Sequence, residues 1–179
     1  MGSAGSQPAR RAAVLVPVFR DEQETLRLLL VIREDRGIHG RQLGFPGGYQ
    51  EPSDDTLLHT ALRETEEEVG LAREHVDVLA ALPDVHATVS ETLVSPFLGR
   101  IPVPHELQPQ TTELTGLLTP AIDRLCDPAV RDKLPFTSAA IPDGLIVDGI
   151  DVGGHVLWGL SLRILDDLLP RLVGGEWPV

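Results

Sequence analysis

Four glutamates within five residues, Glu64, Glu66, Glu67 and Glu68, most strongly constrain how this chain folds. They end the stretch 45–71, FPGGYQEPSDDTLLHTALRETEEEVGL, in which a Pro-Gly-Gly turn and an acid-rich loop lead into a helix-forming run. Carboxylates this close repel one another. A helix does not need such a cluster for its own stability, so we expect a positive partner among the acids.

The helical repeat separates these acids into two groups. At about 100° per residue, Glu64, Glu67 and Glu68 fall on one stripe, whereas Glu66 points elsewhere and is expected on the solvated surface. The predicted apolar side of the helix, next to this stripe, consists of Leu58, Ala61, Leu62, Thr65 and Val69.

The ends of this helix also have sequence signals. Asp54 or Asp55 is the expected N-cap, because a carboxylate accepts the first free N–H groups and suits the positive end of the helix. Gly70 is the expected C-cap. Upstream, Gly47 and Gly48 allow the backbone to approach a ligand closely.

Three carboxylates beside a buried face are costly at neutral pH unless a cation compensates them. A hard divalent ion such as Mg²⁺ has the required preference for oxygen and also binds substrate phosphates. Arg63 is placed to orient or neutralise one of the acids. The alternative is that the acids form a solvated helix face, as most runs of charged residues do.

Apolar runs predict the rest of the fold. Residues 12–19 and 26–32 are expected to form a strand hairpin, with Pro17 at an edge or a strand end. Asp148-Gly149 predicts a second hairpin turn. Thr119 is expected to cap a short helix that ends at Leu125. Further strands are predicted at 76–82, 92–98, 113–118, 145–147, 150–152 and 156–158, and a leucine-rich amphipathic helix at 161–172.

Mixed strands with two principal helices indicate one α/β sandwich domain over residues 12–179, after a disordered lead-in of residues 1–11. The formal net charge of −12 argues against unaided binding to nucleic acid or anionic membranes. Cys126 is the single cysteine, and no apolar run approaches a membrane span, so we expect a soluble, cytoplasmic protein without disulfides.

A basic loop precedes the acidic stretch. It contains Arg33, Arg36, His39 and Arg41, and guanidinium groups match the geometry of phosphate oxygens. The loop therefore predicts a phosphate clamp, with a solvated polar loop as the alternative.

The acidic stretch resembles the Nudix box, G-x5-E-x7-R-E-U-x-E-E-x-G-U, in which U is aliphatic. Residues 63–71, RETEEEVGL, match its second half, with Thr65 in an aliphatic position. Gly48 begins the first half and Asp54 takes the place of its acid. Eight residues rather than seven then separate Asp54 from Arg63.

That register is similar to the Nudix subgroup that hydrolyses coenzyme A, in which FPGG, a D-x-D-like loop and TALRE follow in this order. The subgroup's upstream motif, ending R-x-H-x-G-Q-V-x-F-P-G-G, is matched by His39, Gln42 and Leu43, and Arg33 fits its opening arginine. Arg41 stands where that motif has glycine.

Two later segments extend the resemblance. VSPFLG at 94–99 resembles the V-x-P-x-V-G strand of these proteins, and Glu113 lies where they have an acid. VLWGL at 156–160 resembles their closing I-W-G-x-T element, with Ser161 in the threonine position.

The resemblance implies a Nudix-type α/β/α sandwich with a mixed sheet, and an enzyme that hydrolyses nucleoside diphosphates linked to another group. For the coenzyme A subgroup the products are 4′-phosphopantetheine and 3′,5′-ADP. It also implies Mg²⁺ or Mn²⁺ as cofactor. The implied metal ligands are Glu64, Glu67, Glu68 and the carbonyl of Gly48.

The resemblance further implies the roles of the remaining site residues. Glu67 or Glu68 is expected to activate the attacking water, directly or through a metal, with Glu113 as an alternative base and Arg63 as their neighbour in the catalytic group. The expected substrate-binding residues are Arg33, Arg36, His39, Arg41, Phe45 and Gly47.

Other functions stay open at this point. The same box occurs with ADP-ribose, NADH, dinucleoside polyphosphates or oxidised nucleotides as substrates. A non-catalytic Nudix domain that senses a nucleotide is a second alternative, and a structural partner-binding domain that uses the leucine-rich helix is a third. A homodimer is compatible with each of these.

Overall fold

The computed structural model of the chain describes residues 10–34, 42–87, 91–139 and 141–179. The predicted phosphate-binding residues Arg36, His39 and Arg41 lie outside this described part, as do residues 1–9 of the expected lead-in. The first strand begins at Arg10, two residues before the predicted start at Ala12, so Arg10 and Arg11 belong to the fold.

Strands predominate in the described part of the chain, and three helices separate or follow runs of strands. The strands are β1 (Arg10–Arg20), β2 (Leu26–Leu28), β3 (Leu30–Arg33), β4 (Leu43–Gly44), β5 (Gly47–Tyr49), β6 (Asp77–Ala81), β7 (Val85–Ala87), β8 (Thr92–Arg100), β9 (Leu114–Leu118), β10 (Arg131–Ser138), β11 (Ile141–Val152) and β12 (His155–Trp158). The helices are α1 (Leu57–Val69), α2 (Ile122–Cys126) and α3 (Gly159–Val173), and short 3-10 turns occur at Arg73–His75 and Pro128–Val130.

Strand β1 lies in the middle of the molecule. It pairs in parallel with β8 on one side and antiparallel with β2 and β5 on the other, and β6 and β7 extend the sheet beyond β8. Successive side chains of a strand point to opposite faces. Ala13 and Leu15 accordingly pack in the cluster with α1, and Val16 and Val18 in the cluster with α3. The predicted α/β/α sandwich with a mixed sheet is confirmed.

Prolines occur inside two central strands. Pro17 was expected at an edge or a strand end, but it lies inside β1, which is an interior strand. The Pro17 carbonyl accepts the Leu29 N–H at 2.9 Å between the segments that pair with β5 and β2. Pro96 has the same position in β8, where its carbonyl accepts the Leu82 N–H at 2.9 Å between the β7 and β6 pairings. Each proline therefore lies where the neighbouring strand changes, so the missing N–H interrupts little of the ladder.

The predicted strand over residues 26–32 is divided at Leu29. Its first half, β2, forms the expected hairpin with β1, but β3 leaves that sheet and pairs with β4 and β9. This change of sheet places Arg33, the last residue of β3, close to the turn that precedes α1.

The predicted turn at Asp148-Gly149 is wrong. Both residues lie inside β11, where Gly149 pairs with Asp132 on one side and Trp158 on the other. The actual turn, between β11 and β12, is Gly153-Gly154, with φ values of 62° and 83°. Gly149 is small for a different reason: a Cβ there would lie 2.9 Å from Cγ1 of Val156 and 3.1 Å from the carbonyl oxygen of Leu157.

The two helices beyond α1 also differ in detail from the predictions. Helix α2 begins after Ala121 without a side-chain cap, so Thr119 does not cap it. Helix α3 continues past Pro170 to Val173, and its leucines pack in the core as predicted. None of the helices in the described part has the length and apolarity needed to cross a membrane.

Replacing Gly149 with alanine tests its position inside the strand. We expect Gly149→Ala to lower the free energy of unfolding by about 1 kcal/mol or more, because backbone and a β-branched side chain cannot move away from the new methyl group. Gly116→Ala is the matched control, since its Cβ would meet the flexible end of Ile32 at 3.1 Å. Urea unfolding measures both, and equal effects would contradict this placement.

Candidate active site

The Pro-Gly-Gly turn is held against the central strand. Gly47 has a φ of 151°, and a Cβ there would lie 2.6 Å from the Cα of Val14, so no side chain fits. A Cβ on Gly48 would lie 2.5 Å from the carboxyl carbon of Glu64. The second glycine therefore lets β5 and the acidic helix approach until the Glu64 carboxylate lies against the backbone.

Glu68 is the most buried of the four acids, with 4% of its surface exposed. Its Oε2 accepts the Gly47 N–H at 2.9 Å, and its Oε1 accepts a hydrogen bond from Nη1 of Arg33 at 2.9 Å. Burial raises the pKa of Glu68, the Arg33 charge and the Gly47 hydrogen bond oppose that shift, and the charge of Glu113 adds to it. Glu68 thus connects the helix to the turn and to β3.

Asp54 binds Arg63 and does not cap the helix. The Arg63 guanidinium donates to both oxygens of Asp54 at 2.9 Å, and Asp54 also accepts from Thr60 Oγ1 at 2.9 Å and the Glu51 N–H at 3.0 Å. These donors, Arg63 above all, hold the pKa of Asp54 well below its usual range. The actual N-cap is Thr56, whose side chain accepts the His59 N–H.

Arg63 also contacts two of the predicted metal ligands. Its Nη1 donates to Glu64 Oε1 at 3.2 Å and to Glu67 Oε2 at 3.1 Å, and its Nη2 donates to the Tyr49 carbonyl at 3.2 Å. Burial raises the pKa of Glu64, and the charge of Arg63 opposes part of that rise. One guanidinium therefore neutralises the exposed end of the acidic stripe and anchors it to β5.

Glu66 lies away from these contacts, as the helical repeat predicts. Its carboxylate pairs with Arg73 at 3.0 Å, and both side chains are largely exposed. The predicted C-cap is also confirmed: Gly70 has a φ of 76°, and its N–H bonds to the carbonyl of Glu66.

Glu113 approaches the site from the residue before β9. Its carbonyl accepts the Glu34 N–H at 2.7 Å, which joins it to the end of β3. Its side chain is exposed, and its charge acts on Glu68. The alternative base is thus on the same side of the molecule as the acidic stripe.

The predicted substrate-binding residues in the described part have other contacts. Nη2 of Arg33 donates to the carbonyls of Gly47 and Phe45 at 3.2 and 3.4 Å, so this arginine orients the turn as well as Glu68. Phe45 has 2% of its surface exposed and packs in the cluster with α3, which keeps its ring away from a substrate. Gly47 offers no N–H to a ligand here, because Glu68 accepts it.

The acidic residues fit a hard divalent ion by their chemistry. All the candidate ligand atoms are oxygens, as Mg²⁺ and Mn²⁺ prefer, and Glu64 lies against Gly48, which has no side chain to block it. Among the described residues, no three acidic, histidine or cysteine side chains already converge as a metal site. Arg63 and Arg33 instead balance the charges that an ion would balance.

Comparisons with known proteins agree with this arrangement. The family model that matches the chain is the NUDIX domain, over residues 9–133. A curated relative, the uncharacterized Nudix hydrolase NudL of Yersinia pestis (strain Pestoides F), is 39% identical over 164 residues, which cover 91% of this chain and 80% of the relative.

Solved structures share the fold at low identity. The NUDIX domain of Shewanella oneidensis NrtR, in complex with ADP ribose, superposes with a TM-score of 0.62 at 15% identity, covering 94% of this chain and 95% of that one. The Nudix hydrolase RenU from M. smegmatis gives a TM-score of 0.63 at 16% identity, covering 96% and 89%.

Two buried threonines of α1 provide a matched test of the hydrogen bonds that hold Asp54. Thr60 donates to the charged Asp54, whereas Thr65 donates to the Ala61 carbonyl at 2.7 Å, one helical turn back. We expect Thr60→Val to lower the free energy of unfolding by roughly 1–3 kcal/mol, and Thr65→Val to change it by less than about 1 kcal/mol. Thermal or urea unfolding decides; a larger loss in Thr65→Val would contradict the assigned roles.

Acid titration of stability tests the Asp54–Arg63 pair itself. Because the folded-state pKa of Asp54 lies below its usual value of 3.8, the carboxylate stabilises the fold fully above that pH and loses this effect as the pH falls towards the folded-state pKa. The stability difference between wild type and Asp54→Asn should be constant from about pH 7 to 5 and shrink below about pH 3.8. A difference independent of pH would exclude a charged interaction.

Proposed function

The chain belongs to the Nudix domain family, and on that premise we propose that it hydrolyses coenzyme A or acyl-coenzyme A. The products are 3′,5′-ADP and 4′-phosphopantetheine or its acylated form. Nudix hydrolases act on nucleoside diphosphate derivatives and use divalent metal ions, and this chain is a hydrolase of that kind. The coenzyme A substrate and the individual residue roles are our proposal.

The observation that carries the proposal is the position of the Glu64 carboxylate, pressed against Gly48 and joined through Arg63 to Glu67. The acidic oxygens of Glu64 therefore lie directly against the backbone of Gly48 in β5. Mg²⁺ or Mn²⁺ would be held there by Glu64, Glu67, Glu68 and the carbonyl of Gly48. When bound, such an ion offsets the charge that develops on the diphosphate.

The described residues differ in their ability to accept a proton from the attacking water. Both oxygens of Glu68 already accept hydrogen bonds, and only 6% of its side chain is exposed. Glu67 and Glu113 are exposed, so water reaches their carboxylates directly. We therefore assign the base to one of these two and assign Glu68 to binding the metal and ordering the turn.

The loop register supports coenzyme A over the other nucleotides. The spacing of eight residues between Asp54 and Arg63 follows the coenzyme A subgroup, and the bidentate contact of these two side chains holds the loop before α1 against the helix. Arg36, His39 and Arg41 are proposed to hold substrate phosphates. Arg33 is a positioning residue in this scheme, because it orients Glu68 and the glycine turn.

Neutral variants of two acids on the same helix test the assignment. Glu64→Gln should lower kcat with coenzyme A and Mg²⁺ by on the order of 10²-fold or more, since one charged ligand and its electrostatic effect are lost. Glu66→Gln is the control, because Glu66 pairs with Arg73 away from the site. Chromatographic assay of 3′,5′-ADP measures both rates, and equal rates would contradict the site.

The substrate is tested with a panel of coenzyme A, acyl-coenzyme A, NADH, ADP-ribose and nucleoside triphosphates. We expect the highest kcat/KM with coenzyme A or its acyl form, no turnover in EDTA, and recovery with Mg²⁺ or Mn²⁺. Preference for another member of the panel would overturn the coenzyme A assignment and leave the Nudix site in place.

A further inference from the structure

The segment between β8 and β9 crosses the end of α1. Between Arg100 and Leu114 the chain forms neither helix nor strand, and it has prolines at positions 102, 104 and 109. The segment is held at its start, where the Ile101 N–H bonds to the Val18 carbonyl at 2.9 Å, and its apolar residues pack in the cluster with α1. Without a ladder of hydrogen bonds, individual main-chain contacts decide where such a segment lies.

The main-chain N–H of Gln110 joins this segment to α1. It donates to the Glu68 carbonyl at 2.9 Å. The last four carbonyls of an α-helix have no partner within the helix, and the Glu68 carbonyl is one of them. The Gln110 side chain lies beside Gly70, with Nε2 at 3.4 Å from the position of a Cβ there. Gln110 therefore completes the end of α1 from outside the helix.

A tight turn follows Gln110 directly. The Leu114 N–H donates to the Thr111 carbonyl at 3.4 Å, which makes a β-turn with Glu113 at its corner. Glu113 is fixed a second time, because its own carbonyl accepts the Glu34 N–H at 2.7 Å. The turn is thus held on one side by α1 and on the other by the residue that follows β3.

These contacts close a ring through Glu68. The Glu68 carboxylate accepts from Arg33, and the Glu68 carbonyl accepts from Gln110. Glu34 follows Arg33 in sequence, and Glu113 follows Gln110 by three residues, which span at most about 11 Å. Since Glu34 and Glu113 are themselves bonded, the ring fixes the backbone of Glu113 relative to the acidic stripe.

The Glu113 carboxylate is the unengaged acid of this ring. In the described part of the chain no hydrogen bond or ion pair holds it, whereas Glu67 accepts a hydrogen bond from Arg63 at 3.1 Å. The charge of Glu113 acts on Glu68, so the two acids are close in space. A general base needs an open lone pair and a fixed position. Glu113 has the first by exposure, and the ring supplies the second.

We propose that Gln110 is a positioning residue for hydrolysis. Its main-chain N–H, bound to the Glu68 carbonyl, fixes the turn that presents Glu113 beside the acidic stripe, where Glu113 accepts the proton of the attacking water. This inference rests on the proposed function and goes further, because it chooses Glu113 over Glu67 and names the contact that holds it.

A double-mutant cycle between residues 110 and 113 tests the catalytic part. Gln110→Pro removes the N–H donor and should lower kcat about tenfold with KM within about twofold, because the proposed metal ligands and phosphate-binding residues are unchanged. Glu113→Gln should lower kcat on the order of 10²-fold. The double variant should be no slower than Glu113→Gln alone, since Gln110 acts only through Glu113.

Two controls separate the hydrogen bond from the proline. Gln108→Pro adds a proline to the same segment at a residue whose N–H has no partner in the described part of the chain, and kcat should stay within about twofold of wild type. Gln110→Ala keeps the N–H and should likewise retain activity within about twofold.

A second route to the same effect keeps the donor. One glycine inserted between Gln110 and Thr111 leaves the N–H on Glu68 but lets the turn move. We expect a loss of kcat of about tenfold, again absent in the Glu113→Gln background. This variant replaces Gln110→Pro if the proline lowers the melting temperature to that of the assay.

The motion of a spin label measures the ordering of the turn without turnover or metal. Glu113→Cys in a Cys126→Ser background gives one labelling site, because Cys126 is the single cysteine. A nitroxide at residue 113 should move slowly in this background and after Gln108→Pro. Gln110→Pro or the inserted glycine should shorten its rotational correlation time about twofold or more.

Unchanged label motion in Gln110→Pro and in the insertion variant would overturn the inference. So would losses of kcat that add in the double variant, or an equal loss in Gln108→Pro. If wild type prefers another member of the nucleotide panel to coenzyme A, the cycle is run on that substrate. Absence of turnover on the whole panel would instead overturn the proposed function, and the catalytic role of the turn with it.

Discussion

The bidentate contact between Asp54 and Arg63 is the interaction on which the acidic helix depends. It holds a guanidinium at one place, and from there Arg63 reaches both Glu64 and Glu67. Without a cation so placed, neighbouring carboxylates would repel one another and disfavour the helix that carries them. The loop before α1 therefore contributes to the electrostatic balance of the helix. Asp54 in this loop holds Arg63 in place, and Arg63 in turn neutralises Glu64 and Glu67.

The acidic stripe is divided between two arginines of different origin. Arg63 comes from the helix itself and holds the two acids nearer to solvent, whereas Arg33 comes from β3 and holds buried Glu68. The chain brings Arg33 there by leaving one sheet for another at Leu29. The arrangement of the sheets thus determines which acid is neutralised by which cation.

Much of this could be predicted from the sequence, because its signals are local and periodic. The helix, its end at Gly70 and the outward direction of Glu66 all follow from spacing along α1. The role of Asp54 could not be predicted in this way. An aspartate before a helix is an ordinary cap, and nothing in the nearby sequence indicates that the Arg63 side chain reaches back to it. Asp148-Gly149 was misread for a related reason: the dipeptide is common in turns, but Gly149 is required by the close approach of β12.

Gly47 joins the central strand to the chemistry of the site in a single residue. Its bare Cα packs on the backbone of β1, and its N–H is the donor that Glu68 accepts. The two requirements cannot be met separately, because a side chain at this position would push β5 away from β1 and withdraw the N–H from Glu68 in the same movement. A mutation of Gly47 therefore cannot change the electrostatics of the site without also disturbing the sheet. Changes in the chemistry of the site must come from substitutions at the residues around Gly47.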